Sequence, residues 1–217
     1  MVARAVLFDL DGTLADTAAD LATALNRLRR EQGLEPVPPE LTRPHTSSGA
    51  RGLLKIGFDL TPEHTGYAGL RDRFLDFYGE GLCLETRLYE GVSELLAALD
   101  RRQIPWGVVT NKTARFTEPL LELLALRGRA ACVVSGDTTA RAKPAPDPLL
   151  RAASDMHLSP VECLYVGDDL RDVQAARAAG MGAIAAGWGY LGIEGDPDSW
   201  GADAVLGHPQ DVLALLS

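Results

Sequence analysis

The sequence predicts an α/β protein: a parallel sheet covered on both faces by helices, with an all-helical segment inserted after the first strand. Three observations carry that prediction. Short, continuously apolar runs alternate with amphipathic stretches of helical period, the pattern of strands buried on both sides. The alternation fails from about Thr17 to Arg87, a stretch too long for one crossover helix. Polar residues capable of chemistry end several of the apolar runs, where open α/β sheets carry their ligands.

The first run is AVLF (Ala5–Phe8), followed by a helical stretch from about Thr17 to Gln32. Further strands are predicted at WGVV (Trp106–Val109), ACVV (Ala131–Val134), CLYV (Cys163–Val166), AIAA (Ala183–Ala186) and DAVL (Asp203–Leu206). Helices are predicted near Ser93–Arg102, Glu118–Arg127, Asp147–His157, Asp169–Ala179 and Pro209–Leu216. Between Thr17 and Arg87 the chain reads as helix and loop, broken by Pro36-Val37-Pro38-Pro39 and several glycines. The expected organisation is therefore a Rossmann-like core of residues 1–16 and 88–217 and a helical cap of residues 17–87.

Composition narrows the function. The chain has 217 residues, 46% hydrophobic and 24% charged, enough to bury a core without disulfide or metal staples. A net charge of -9 argues against a nucleic-acid footprint. The apolar N-terminal run is too short for a signal segment or a membrane span. Cys83, Cys132 and Cys163 lack metal-type spacing and read as free thiols of a reducing cytoplasm. The expected assembly is a monomer or weak homodimer acting on a small molecule.

Four polar groups would meet on one rim of such a sheet: Asp9-Leu10-Asp11-Gly12-Thr13, Thr110-Asn111-Lys112, Lys143-Pro144 and Gly167-Asp168-Asp169. Residues two apart on an extended strand share a side, so Asp9 and Asp11 can face one pocket, with Gly12 permitting a tight turn. Carboxylates about 4 Å apart repel by roughly 4 kcal/mol at an effective dielectric near 20. If Asp168 joins Asp9, the cluster calls for a cation, and hard oxygen ligands beside a phosphate favour Mg²⁺. Asp169 and Asp172 also suit a helix N-terminus. Lys143 would balance charge on a nucleophilic carboxylate and on a phosphoryl group. Thr110 and Asn111 offer a hydroxyl and an amide to phosphate oxygens.

These segments, in this order, resemble the four motifs of the haloacid dehalogenase-like hydrolase superfamily: DLDGT (Asp9–Thr13), VTN (Val109–Asn111), Lys143-Pro144 and GDDLRD (Gly167–Asp172). The position of the insert resembles the C1-capped branch. SSGAR (Ser47–Arg51), TRLYEGV (Thr86–Val92), WGVVTNK (Trp106–Lys112) and WGAD (Trp200–Asp203) resemble the phosphoglycolate phosphatase group, and within it the bacterial N-acetylmuramic acid 6-phosphate phosphatases.

The resemblance implies a Mg²⁺-dependent phosphomonoesterase working through an aspartyl phosphate. Asp9 would be the nucleophile and Asp11 the general acid and base. Asp9, the Asp11 carbonyl and Asp168 would hold the metal. Thr110, Asn111 and Lys143 would bind the phosphate, and Asp172 would support Lys143 or the metal's waters. A dehalogenase needs no acid for a halide, and the carboxylate at Asp11 points away from that chemistry. In the cap, Arg51, His45 and Ser47-Ser48-Gly49 are the candidates for contacting the organic part, with Lys112 and Arg115 as possible partners of a substrate carboxylate. The alternatives to N-acetylmuramic acid 6-phosphate are 2-phosphoglycolate, a sugar phosphomutase reaction, and a non-catalytic metal-binding phosphoacceptor module. A phosphoacceptor of the receiver type would lack both the insert and the Asp-x-Asp spacing.

Overall fold

Ala5–Phe8 (β1) is buried along its whole length, with alternate side chains entering opposite faces of the sheet. Val6 and Phe8 join Trp106, Val108, Leu95 and Leu99 on one face. Ala5 and Leu7 join Val109, Tyr165, Leu149 and Ala176 on the other. The computed structural model describes residues 3–193 and 195–216. The expected core segments also reach residues 1, 2, 194 and 217, which lie outside the described residues.

After β1 the chain forms β2 (Ala15–Asp16), α1 (Ala18–Glu31), α2 (Pro39–Thr42), a 3₁₀ segment (Arg43–Ser48), α3 (Gly49–Phe58), α4 (Tyr67–Glu80) and β3 (Arg87–Leu88). It continues through α5 (Val92–Arg101), β4 (Trp106–Val109), α6 (Ala114–Leu123), β5 (Cys132–Val134), α7 (Asp147–Asp155) and β6 (Cys163–Gly167). α8 (Leu170–Ala179), β7 (Gly182–Ala186), β8 (Ala204–Leu206) and a 3₁₀ segment (Pro209–Leu215) complete it, with shorter 3₁₀ turns at Pro160–Glu162 and Pro197–Ser199. The six-stranded sheet has the order β5-β4-β1-β6-β7-β8 with every neighbouring pair parallel. Later strands move outward on both sides of β1, so the switch point that gathers ligands in such sheets lies at the tip of β1.

The helices between β2 and β3 have a core of their own. Leu21, Leu25 and Leu28 of α1 repeat at helical spacing and pack with Leu53 and Leu54 of α3 and Phe74, Phe77 and Tyr78 of α4. Phe116 of α6 joins them, with its ring 5.2 Å from that of Tyr78. The crossing points carry β2 and β3, an antiparallel pair in the register Ala15↔Leu88 and Asp16↔Arg87. Two residues are too few to leave an alternating pattern, so the sequence does not signal these strands. Buried Asp20 fastens α1 to the returning chain by accepting from the N–H groups of Glu85 and Thr86 and from Thr86 Oγ1 (2.7 Å).

Two expected helices are corrected. The one placed at Glu118–Arg127 begins four residues earlier, because Asp137 Oδ1, from beyond β5, accepts the Ala114 N–H at 2.8 Å. That partner is distant in sequence, and the helix tolerates Pro119 inside it. The terminal helix at Pro209–Leu216 is a 3₁₀ segment packed against α5.

Candidate active site

The register at the end of β1 assembles the site. Phe8 pairs with Val108 on one side and Val166 on the other, so Asp9 stands between the ends of β4 and β6. Its N–H continues the ladder to Val166 O at 2.9 Å. The chain then turns at Gly12, where φ is +84° and a Cβ would fall 2.2 Å from Asp168 Oδ2. Gly189 is equally constrained, since its Cβ would lie 2.2 Å from Asp168 Cβ. These glycines let the β1 loop and the chain after β7 close around Asp168.

Asp168 is fully buried. It accepts from Thr13 Oγ1 (3.1 Å), the Tyr190 N–H (2.9 Å) and, across from the helical insert, Ser47 Oγ (3.3 Å). Asp9, Asp168 and Asp172 each offer a carboxylate oxygen within 4.8 Å of the others. Burial and the mutual repulsion with Asp9 and Asp172 push the Asp168 carboxyl well above the usual range. Burial likewise pushes Asp9 up to about 7, against the pull of Lys143 and with the help of Asp172 and Asp11. Asp9 Oδ1 is buried, and its one close partner among the described residues is the Lys143 ammonium at 2.9 Å. Hard oxygen donors and several negative charges gathered within 4.8 Å suit a divalent cation.

Lys143 is the counter-charge. Its ammonium donates to Asp172 Oδ1 (2.7 Å), Tyr165 Oη (2.7 Å) and Val109 O (3.1 Å), and lies 2.9 Å from Asp9 Oδ1 as a charge contact. Burial alone would lower its pKa, but Asp172 and Asp9 outweigh burial and raise it. Asn111 is placed differently from the phosphate-binding role expected for its amide. Nδ2 donates to Lys143 O and Oδ1 accepts the Lys143 N–H, both at 3.0 Å, so the side chain clamps the lysine loop. Thr110 Oγ1 accepts the Lys112 N–H at 3.2 Å and keeps its own proton to donate.

Asp11 turns its carboxylate away from the acidic cluster. Thr17 Oγ1 donates to Asp11 Oδ1 at 2.6 Å, and Lys112 Nζ lies 3.2 Å from the same oxygen. Lys112 also donates to Tyr78 Oη of α4 at 3.0 Å and sits over that ring. Despite burial, Asp11 and Tyr78 hold its pKa above the ordinary value. Only the backbone carbonyl of Asp11 is therefore left for the metal role implied by the sequence.

A cavity of about 230 Å³ opens over these groups. Asp9, Asp11, Thr110, Asn111 and Lys112 line one part of it, and Ser47, Ser48, Gly49, Arg71, Phe74, Tyr78 and Phe116 another. Three of the candidates for contacting the organic part or carboxylate of a substrate are not among the lining residues. Arg51 is exposed on α3, His45 lies outside the lining, and Arg115 stacks over the Phe116 ring at 4.4 Å. The sequence reading missed Tyr165, Thr17, Tyr78, Tyr190 and Arg171. A tyrosine inside an apolar strand of the sheet interior is the one legible signal among them, since its hydroxyl must find a partner. Arg171 pairs with Asp169 at 2.7 Å and donates to Ser47 O at 2.7 Å, linking α8 to the insert.

The chain matches the family model described as haloacid dehalogenase-like hydrolase over residues 6–186. The chain belongs to this family. Among curated members, it is 42% identical to the N-acetylmuramic acid 6-phosphate phosphatase of Pseudomonas putida, covering 98% of this chain and 96% of the relative. It is 41% identical to the phosphoglycolate phosphatase of Xanthomonas campestris pv. campestris, covering 95% and 93%. A crystal structure described as a "predicted phosphoglycolate phosphatase" from Haemophilus somnus superposes with a TM-score of 0.88 at 28% identity, over 99% of this chain and 98% of that one. The haloacid dehalogenase-like family and these phosphatase relatives support a phosphoric monoester hydrolase. Among the described residues no helix is long and apolar enough to cross a membrane.

Proposed function

We propose that this protein is a Mg²⁺-dependent phosphomonoesterase of the reducing cytoplasm, acting on a small phosphorylated metabolite through an aspartyl phosphate. In this reading residues 17–87 form a cap over the core. The observation that carries it is the pairing at the tip of β1. Asp9 and Asp11 line one cavity, yet Asp9 belongs to the buried acidic cluster and Asp11 to a separate set of contacts.

That division suits two roles. Asp9 attacks phosphorus in line, forming the acyl phosphate and expelling the alkoxide. Asp11 gives a proton to the leaving oxygen and later takes one from the water that cleaves the acyl phosphate. Thr17 and Lys112 fix the carboxylate for both transfers. Lys143 steadies negative charge on Asp9 and on the phosphoryl oxygens, Thr110 donates to one of them, and Asp172 and Tyr165 hold Lys143 in place. The Asp9 and Asp168 carboxylates with the Asp11 carbonyl would hold Mg²⁺, whose charge offsets the repulsion between Asp9 and a phosphate dianion.

N-acetylmuramic acid 6-phosphate is the favoured substrate, on the strength of the Pseudomonas relative. 2-Phosphoglycolate is the second reading, since the Xanthomonas relative is nearly as similar. The test is phosphate release from a panel of sugar phosphates, 2-phosphoglycolate and nucleotides with Mg²⁺. Release without a bisphosphate activator is expected. Stoichiometric isomerisation without release would indicate a mutase, and no turnover of any ester would sink the phosphatase reading.

A further inference from the structure

Three cations line the cavity: Arg71, Lys112 and Arg171. Two are already committed. Lys112 is held by Asp11 and Tyr78, and Arg171 by both oxygens of Asp169 and by Ser47 O. Arg71 has no hydrogen bond among the described residues, and its nearest carboxylate is that of its chain neighbour Asp72, at 3.9 Å. About half of its side chain is exposed (49%). It is the cation of this cavity left free to meet a substrate.

Its place on α4 sets a distance. Arg71, Phe74, Leu75 and Tyr78 all line the cavity and follow the i, i+3, i+4, i+7 spacing of one helix face. Tyr78 ends the row at the catalytic groups, 3.0 Å from the lysine that touches Asp11. Arg71 begins it seven residues earlier. At about 1.5 Å per residue, the two ends lie roughly 10 Å apart along the helix. Phe74 and Leu75, with Leu21 and Phe116, make the surface between them apolar.

We infer that Arg71 is a specificity-determining residue that binds a carboxylate roughly 10 Å from the transferring phosphate, and so selects carboxylate-bearing sugar phosphates over two-carbon phospho-acids. In 2-phosphoglycolate the carboxylate carbon is about three bonds from phosphorus, a reach of roughly 4 Å. That ester is roughly 6 Å shorter than the row from Tyr78 to Arg71 is long. An acid ether on the far side of a hexose 6-phosphate ring is about eight bonds away and spans roughly 10 Å when extended. The ring and its acetamido methyl then lie against Phe74 and Leu75, and the unbonded Ser48 hydroxyl is available to a ring substituent.

This inference rests on the phosphatase reading, so its test keeps the two apart. Phosphate release is measured for Arg71→Ala and Arg71→Lys on N-acetylmuramic acid 6-phosphate, N-acetylglucosamine 6-phosphate and 2-phosphoglycolate. Exposed Arg51→Ala serves as the control. Arg71→Ala should raise KM for the carboxylated sugar about tenfold, with kcat within about twofold and the other two esters unchanged. Arg71→Lys should restore part of the loss, and Arg51→Ala should change nothing. Equal effects on all three esters, or none, overturn the inference. In parallel, calorimetry on Asp9→Asn, with and without Arg71→Ala, reads binding where turnover is blocked. Arg71-dependent binding of the carboxylated sugar without turnover by the wild-type protein would remove the phosphatase reading and leave Arg71 its role. Binding that ignores Arg71 would remove the inference alone.

Discussion

At the strand tips, Asp168 is fully buried under three hydrogen bonds, and Lys143 is held by Asp172, Tyr165 and a backbone carbonyl. On α4, Arg71 stands half exposed with no hydrogen bond among the described residues. The two regions line or underlie one cavity, yet they are built in opposite ways. The floor holds its charges before any ligand arrives, because buried charges without partners are costly. The α4 wall leaves its charge free, because a group that recognises a substrate has to be unpaired until the substrate comes. The comparison teaches that chemistry is fixed by groups satisfied within the protein, and selection by groups left unsatisfied.

The strongest way to break the comparison is to alter the floor. Asp9→Asn should lower kcat by roughly 10⁴-fold or more, as expected for loss of a nucleophile, while circular dichroism stays native. Normal phosphate release by that variant would end the assignment of Asp9. Asp11→Asn should cost about 10²- to 10⁴-fold, and the deficit should shrink for esters with acidic leaving groups that need no proton. A deficit independent of the leaving group would refute an acid role for Asp11.

Stability distinguishes the regions as well. Lys143→Met leaves Asp9 and Asp172 facing each other without their counter-charge, and should destabilise the protein by about 3–5 kcal/mol in denaturant titration. A shift in midpoint no larger than that of Arg51→Ala would show that the floor is not held by this lysine.

The smallest effect concerns protons and metal. In the metal-free protein Asp9 is raised from 3.8 to about 7, and burial also pushes Asp168 well above the usual carboxylate range. A raised carboxyl favours the folded state most below its ordinary pKa, and that contribution is lost as pH rises through the folded value. Stability of the metal-free protein should therefore fall between about pH 4 and pH 7 from these groups. A cation competes with those protons, so the rise in Tm on adding Mg²⁺ should be larger near about pH 8 than near about pH 5. An equal rise at both would place the metal elsewhere.

How much was legible depends on the kind of constraint. The runs at Ala5–Phe8 and Trp106–Val109 announce buried strands because every residue in them is apolar, and both form with those bounds. The polar ends of β1, β4 and β6 needed only the rule that parallel strands share a rim. Arg51 and Arg71 show the opposite case. Both are arginines on helices of the insert, and no local pattern says which helix face will look into a cavity. The orientation of α4 is set by Phe74, Phe77 and Tyr78 packing on α1 and α3 and by Phe116 of α6, contacts up to dozens of residues apart.

By itself, then, the sequence determined the parallel α/β core, the helical insert and the aspartates and lysine that gather at the strand tips. Hydrophobic period and strand ends are local properties, and residue type limits the chemistry available there. Tertiary structure alone decided that Asn111 clamps the lysine loop, that Lys112 belongs to Asp11, and that Arg71 rather than Arg51 lines the cavity. Those outcomes depend on which buried groups compete for which partners, and such competition exists only once distant segments are packed together.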